Sequence, residues 1–145
     1  MDRHAIITGG AGFIGSHVVD LLLAEGGWQV TVVDNFDPFY PRVIKEANVA
    51  QHRNNSAFEL VEGDILDDAV LQRAFLRSSG QEPLVLHFAA KPGVRSSMTD
   101  PLGYYRVNVT GTLKILEYAR KAAASHFMMA SSSSIYGDAP DAPCK

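Results

Sequence analysis

One stretch decides how this chain folds: residues 5–17 read AIITGGAGFIGSH. Its first four residues are apolar or β-branched, which is typical of a strand buried on both faces of a sheet. Glycines follow at once, and from Phe13 to about Ala24 the apolar residues recur at positions 14, 18, 21 and 22, which predicts an amphipathic helix. A strand that turns through glycines into a helix is an arrangement in which backbone N–H groups can receive a phosphate.

The alternation of strand and helix continues to the end of the chain. Four further apolar runs predict strands, at residues 30–33, 58–61, 84–88 and 127–130. The stretches between them predict helices at 42–53, as a short polar helix, at 67–76 with Asp67 or Asp68 as the N-cap, and at 104–124, with a loop at Pro92 and Gly93. This order predicts an α/β fold, a Rossmann-type doubly wound parallel sheet with strand order 3-2-1-4-5, truncated after the fifth strand.

Composition and charge narrow the class of protein. The 145 residues suffice for one domain, residues 1–145, and 46% hydrophobic with 20% charged residues is ordinary for a folded chain. A net charge of −3 gives no attraction to nucleic acid, and no apolar run reaches the roughly 18 residues of a membrane span. The single cysteine, Cys144, cannot form an internal disulfide, which favours a soluble cytoplasmic domain. The five histidines show no metal-ligand spacing, so no metal site is expected.

The glycine loop and the acid after the second strand together predict a dinucleotide site. Gly9 allows a tight turn, Gly12 lets backbone N–H groups approach a pyrophosphate, and Gly15 brings the helix close to the sheet. Asp34, nineteen residues beyond Gly15, stands where a carboxylate accepts hydrogen bonds from ribose hydroxyls. It would repel a 2′-phosphate, and residues 35–41 contain no Lys or Arg, so NAD is favoured over NADP. The alternative is a plain tight turn, with Asp34 only ending a strand.

The motifs, taken in order, resemble one family. Residues 8–17 resemble the cofactor loop of the extended short-chain dehydrogenase/reductases, and within them the nucleotide-sugar epimerases and dehydratases. Further matches are residues 33–36 (VDNF), 63–65 (GDI), 87–90 (HFAA), 100–101 (DP), 108–112 (NVTGT) and 131–138 (SSSSIYGD). UDP-glucuronate 4-epimerases look nearest, because the VDNF motif leads into an insertion with Tyr40 and Lys45 and because residues 93–95 read GVR. UDP-glucose 4-epimerases come next.

The resemblance implies NAD as the cofactor and assigns roles to single residues. Phe13 and Ile14 would offer backbone N–H groups to the pyrophosphate, and Asp64 would bind the adenine amino group with Ile65 packed on the ring. Lys91 would reach the nicotinamide-side ribose or phosphate. The implied cofactor-binding residues are Gly9, Gly12, Phe13, Ile14, Gly15, Asp34, Asn35, Asp64, Ile65, Ala89, Ala90, Lys91 and Asn108.

A second set of residues is implied for the substrate. Ser132, four residues before Tyr136, matches the family's active-site Ser/Thr, and Arg95 hints at an anionic sugar. Each has a plainer alternative: Arg95, like Lys91, is a solvated surface charge, and the serines form a strand-end turn. Dehydratases of the family carry Asp-Glu after the active-site Ser/Thr, and Ser133-Ser134 do not match, which favours an epimerase.

The family's acid–base pair is not found in these 145 residues. The resemblance implies a tyrosine that exchanges a proton with the sugar hydroxyl and a lysine four residues later. Lysines stand at 45, 91, 114, 121 and 145, and the residues four positions earlier are Pro41, His87, Thr110, Glu117 and Asp141. We therefore expect an NAD-binding portion that is inactive alone and takes a UDP-sugar only when its C-terminal part is supplied. The alternatives are a non-catalytic NAD(H)-binding module or a subunit completed by another chain.

Two surfaces predict a homo-oligomer. The uncharged fifth strand would lie at an open sheet edge of the kind that recruits another chain. The predicted helix 104–124 carries apolar residues on more than one face. Val107, Leu113 and Leu116 are expected toward one side, and Tyr105, Val109 and Ile115 toward other sides. In relatives this helix helps to form the dimer.

Overall fold

Five parallel strands form the sheet in the computed structural model, which describes residues 3–137. They are β1 Arg3–Thr8, β2 Trp28–Asp34, β3 Phe58–Glu62, β4 Leu84–His87 and β5 His126–Met129. The sheet order is β3-β2-β1-β4-β5, which confirms the predicted doubly wound topology. Asp138 and Cys144, named above, lie outside the described residues.

Helices cover both faces of the sheet because β1 sends alternate side chains to opposite sides. Ile7 packs with α1 and α2, whereas Ile6 packs with α3 and α6, and both are fully buried. The helices are α1 Phe13–Glu25, α2 Arg42–Ala50, α3 Asp68–Leu76, α4 Val94–Thr99, α5 Pro101–Tyr104 and α6 Thr112–Lys121. The Asp67 carboxylate caps α3 by accepting the Ala69 N–H at 2.8 Å, as its side chain predicts. Within residues 3–137 no helix has the length and apolar character needed to cross a membrane.

The predicted helix 104–124 differs from the observed one in extent and winding. It begins three residues earlier, because Asp100 caps it by accepting the Gly103 N–H at 3.0 Å and Pro101 stands at its first position. Residues Tyr105–Gly111 between α5 and α6 form a π-helix, and the helix ends at Lys121. The loop predicted at residues 92–93 leads directly into α4, which the sequence did not indicate, and α2 ends three residues before the predicted position 53.

The helix that runs from α5 to α6 packs one face on the core and exposes the other. Val107 and Ile115 both pack in the core beside α3, whereas Leu113 and Leu116 are exposed together with Tyr105 and Val109. The predicted grouping of Val107 with the two leucines is therefore wrong. Even the roughly 100° per residue of a regular α-helix places Val107 about 180° from Leu116 and about 80° from Ile115, so the spacing itself does not support that grouping.

A buried histidine joins the sheet to the π-helix through a directed chain of hydrogen bonds. The Thr112 hydroxyl donates to the Asn108 carbonyl at 2.7 Å, so it accepts the His87 Nε2–H at 2.8 Å. His87 Nδ1 then accepts the Thr8 hydroxyl proton at 2.6 Å, and Thr8 in turn accepts the Ala89 N–H at 3.3 Å. Every donor in this chain has an acceptor only if the ring is neutral. Burial lowers the pKa of His87 from 6.5 to about 4, in agreement with that arrangement.

We predict that acid destabilises this fold through His87. Between pH 6.5 and about 4 the unfolded chain binds a proton at His87, whereas the folded chain does not. The contribution of His87 to stability is therefore fully present above pH 6.5 and is lost as the pH falls to about 4. The expected loss from this one residue is on the order of 3 kcal/mol. Urea unfolding at pH 7 and pH 4.5 should show a smaller pH dependence for His87→Gln than for the wild type. His126→Gln removes an exposed histidine and should leave the wild-type dependence unchanged; an equal effect of both variants would contradict the prediction.

Candidate cofactor-binding site

A crevice opens at the carboxyl ends of the parallel strands, where the strand order reverses between β1 and β4. This is the place at which doubly wound sheets bind ligands. Of the residues singled out from the sequence, those lining it are Gly9, Gly12, Phe13, Ile14, Gly15, Asp34, Asn35, Asp64, Ile65, Ala89, Ala90 and Lys91. Asn108, Arg95 and Ser132 are not among the lining residues.

The glycine loop and the start of α1 are packed too tightly for side chains at Gly9, Gly10 and Gly15. Gly9 has φ +72°, and a Cβ there would lie 2.7 Å from the Ala89 backbone nitrogen. A Cβ on Gly15 would overlap the Gly9 carbonyl oxygen. A Cβ on Gly12 would meet only that same oxygen, at 3.1 Å, so its other side is open. The loop therefore presents Gly12 and the first turn of α1 to the crevice, with N–H groups that have no acceptor inside the helix.

Asp34 stands at the bottom of the crevice with most of its acceptor positions used. Its Oδ1 accepts the Phe36 N–H at 2.8 Å and the Lys45 ammonium at 3.0 Å, and its Oδ2 accepts the Ala11 N–H at 3.1 Å. The residue is 4% exposed. A carboxylate has about four acceptor positions, so one remains on Oδ2. One acceptor position on Asp34 thus remains open to a ligand hydroxyl.

Asn35 and Asp64 form the side of the crevice at the ends of β2 and β3. Asn35 Nδ2 donates to Asp64 Oδ2 at 3.2 Å, and Asp64 Oδ1 accepts the Leu66 N–H at 2.8 Å. Ile65 is 5% exposed and packs against Gly111, where a Cβ would lie 2.5 Å from the Ile65 Cδ1. The glycine of the π-helix therefore lets this helix approach the β3 loop closely.

Lys91 and Asn108 are joined through the backbone rather than through the crevice. The Asn108 side chain accepts the Lys91 N–H at 2.8 Å and donates to the Lys91 carbonyl at 3.0 Å. The Lys91 ammonium bonds to Asp100 at 2.9 Å and lies 5.5 Å from the Tyr104 ring centre. Asn108 accordingly fixes the chain after β4, and Lys91 is held by a carboxylate on the rim.

The two residues expected near a substrate are exposed and do not line the crevice. Arg95 is exposed on α4. Ser132 is also exposed and caps a short 3-10 helix, Ser133–Tyr136, by accepting the Ser134 N–H at 3.1 Å. The turn role that the sequence left open for the serines is thus present in the structure.

Sequence reasoning missed Lys45 as a member of the crevice. The residue belongs to α2, eleven positions after Asp34, and its ammonium reaches back to that carboxylate. In α2 the apolar residues Val43 and Ile44 are exposed while Lys45 is buried, so the pattern of this helix did not indicate that Lys45 turns inward, and nothing local indicates its partner. Phe39, Tyr40 and Phe88 also line the crevice.

The comparisons with known proteins point to one family. The family model described as GDP-mannose 4,6 dehydratase matches residues 6–145. UDP-glucose 4-epimerase of Bos taurus is 39% identical over 144 residues, which cover 95% of this chain and 40% of that relative. A probable UDP-glucuronate 4-epimerase of Rhizobium meliloti (strain 1021) is 39% identical over 132 residues, which cover 91% of this chain and 38% of that relative. The crystal structure of UDP-glucuronic acid 4-epimerase from Bacillus cereus in complex with UDP-glucuronic acid and NAD superposes with a TM-score of 0.88, at 32% identity, covering 99% of this chain and 44% of that one.

This chain thus spans about 40% of the length of the relatives it matches. The match includes the order of the five parallel strands around the crevice. The chain therefore belongs to the nucleotide-sugar epimerase and dehydratase family of the extended short-chain dehydrogenase/reductases, of which it corresponds to the N-terminal portion and whose cofactor is NAD.

Proposed function

We propose that this chain is the NAD-binding portion of a nucleotide-sugar 4-epimerase that acts on a UDP-hexose or UDP-hexuronate. The observation that carries the proposal is the crevice itself, in which the glycine loop, Asp34 and Asp64 meet at the reversal of strand order. The names of the relatives support epimerisation over dehydration, and so does Ser133-Ser134 after the active-site serine position. A cytoplasmic location is part of the proposal, because a chain with one cysteine forms no internal disulfide.

Different residues of the chain would bind different parts of the cofactor. In a 4-epimerase reaction, bound NAD would supply the acceptor of the hydride from C4 of the sugar and would return that hydride to the opposite face of C4. The first turn of α1, at Phe13 and Ile14, would bind the pyrophosphate through N–H groups and the positive end of the helix dipole. Asp34 Oδ2 would accept a hydroxyl of the adenosine ribose, and Asp64 would bind the adenine amino group beside Ile65. Ala89 and Ala90 leave room where the chain exits β4.

We predict that the purified chain binds NAD and that Gly12→Ala abolishes most of this binding. The added methyl group would meet only the Gly9 carbonyl within the protein and would otherwise occupy the open side of the loop that faces the phosphates. We expect at least a ten-fold rise in the Kd for NAD, which corresponds to about 1.4 kcal/mol. Calorimetric titration measures the Kd, and thermal unfolding checks that the Tm is little changed. Absence of NAD binding by the wild-type chain, or a Gly12→Ala variant that binds NAD as tightly as the wild type, would count against this site.

We predict that the 145-residue chain does not interconvert UDP-sugars. No Tyr-x-x-x-Lys pair occurs in its sequence, and general acid–base catalysis of this kind contributes about 10²–10⁴-fold. Incubation with NAD and UDP-glucose or UDP-glucuronate, followed by chromatography, should show no 4-epimer. A complete 4-epimerase serves as the positive control. Turnover by the chain alone would show that another residue takes the proton.

A second candidate is a non-catalytic NAD(H)-binding module or a subunit completed by another chain. A module that binds NADH for its own sake needs no substrate pocket, and Ser132 does not line the crevice. Addition of a C-terminal portion that contains Tyr-x-x-x-Lys separates a catalytic from a non-catalytic role. Epimerisation by the mixture supports the first candidate or a subunit completed by another chain, and unchanged NAD binding without turnover supports the non-catalytic module.

We also propose that the chain self-associates through the exposed face of the helix that runs from α5 to α6. Its large apolar side chains are 41–75% exposed and recur at three- and four-residue spacings. They are Leu102, Tyr105, Val109, Leu113 and Leu116. The edge strand β5 adds two exposed methionines, Met128 and Met129.

We predict that the chain is a dimer or larger at micromolar concentration and that Leu113→Glu shifts it to the monomer. The substitution places a charge in the middle of the apolar face without touching the buried residues of α6. Light scattering measures the mass. Met128→Glu is the matched variant at the β5 edge, and a shift caused by it instead of Leu113→Glu would assign the contact to the sheet. A monomeric wild type would refute both proposed contacts, the one through the helix face and the one through the β5 edge.

A further inference from the structure

We propose that Lys45 determines how strongly this site discriminates between NAD and a dinucleotide that carries a 2′-phosphate. The inference rests on the proposed function, because it requires an adenosine ribose beside Asp34. The sequence alone favoured NAD on the ground that residues 35–41 contain no Lys or Arg. The structure adds a cation from farther along the chain to the same carboxylate.

The Lys45–Asp34 pair is buried and faces the crevice. The ammonium Nζ lies 3.0 Å from Asp34 Oδ1, and the two side chains are 11% and 3% exposed. Both residues line the crevice. Exposed ion pairs are screened by water and contribute little, whereas a pair this deep interacts at a lower dielectric. Its charges therefore act strongly on any group that enters beside them.

The donors and acceptors of the pair leave defined positions for a ligand. Asp34 Oδ1 already accepts the Phe36 N–H and the Lys45 ammonium, so only Oδ2 can accept a further hydroxyl. Lys45 has three N–H donors and gives one to Asp34. A ribose that reaches Asp34 thus has its 2′ position near an acceptor and a cation with donors to spare.

The charges of Asp34 and Lys45 together predict weak rather than absolute discrimination between NAD and NADP. Asp34 alone would present a negative charge to the 2′-phosphate, which itself carries between one and two negative charges. With Lys45 in place the pair has no net charge, and the attraction of the ammonium offsets the repulsion by the carboxylate. Lys45 therefore makes the site more tolerant of NADP than a lone strand-end aspartate would be.

A purely structural role for Lys45 makes a different prediction. A lysine that only neutralises Asp34 to keep the β2 loop in place would, when removed, weaken the binding of both dinucleotides by the same factor. The ratio of the two dissociation constants separates the roles, because loss of folded protein or of loop order cancels in it. Charge discrimination changes the ratio, and loop positioning does not.

The test is to measure the Kd of NAD and of NADP for the wild type, Lys45→Met and Asp34→Asn by calorimetric titration. Lys45→Met should raise the ratio of Kd for NADP to Kd for NAD by about ten-fold or more, because the carboxylate is left without its counter-charge. Asp34→Asn should lower the ratio by a similar factor, since the ammonium then faces the phosphate alone. Lys45→Gln, which retains a hydrogen-bond donor for Asp34, should behave like Lys45→Met and replaces it if that variant does not fold.

Lys114→Met is the matched control. Lys114 also pairs with an aspartate, Asp68, at 2.9 Å, but it does not line the crevice, so the ratio should equal that of the wild type. If NAD binds and none of the Lys45 and Asp34 variants changes the ratio, the inference about Lys45 is overturned and the NAD site stands. If the folded wild type binds neither dinucleotide, the proposed function fails and the inference fails with it.

Discussion

The structure depends on the lack of space where β1 turns into α1. A Cβ on Gly9 would lie 2.7 Å from the Ala89 nitrogen, and one on Gly10 would lie 2.7 Å from both methyl groups of Val32. Contacts this short leave no room for any side chain, so the loop lies directly on the ends of β2 and β4. This close approach brings the first turn of α1 to the mouth of the crevice. The position of every other lining residue is set relative to that turn.

The sheet could be read from the sequence because its signals are local. Each strand is a short apolar run that ends at a glycine, proline or polar residue, and the predicted strand bounds agree with the observed ones to within two residues. Helix α4 could not be predicted, because it has six residues and no side chain that caps its start. The π-helix could not be predicted either, since its winding depends on contacts such as that of Gly111 with Ile65, far away in sequence.

The candidate site was predictable wherever its residues follow strands directly. The carboxyl ends of parallel strands meet at one edge, so Asp34, Asp64 and Ala89 had to come together there. Lys45 was different, because a loop and the first turn of a helix separate it from the carboxylate that it contacts. The roles of Arg95 and Ser132 came only from the resemblance, and neither residue lines the crevice.

The π-helix restricts how the longest helical segment can change in evolution. The segment from α5 to α6 has half-buried Val107 and buried Gly111, Ile115 and Ala119, at intervals of four. The first of these intervals lies in the π-helix, whose wider turn offsets part of the drift that a four-residue spacing has in a regular α-helix of 3.6 residues per turn. Deletion of one residue here would rotate all that follows by about 100° and turn Leu116 inward in place of Ile115. For the folding of a single chain, substitutions along the exposed side of this segment therefore cost less than any change in its length.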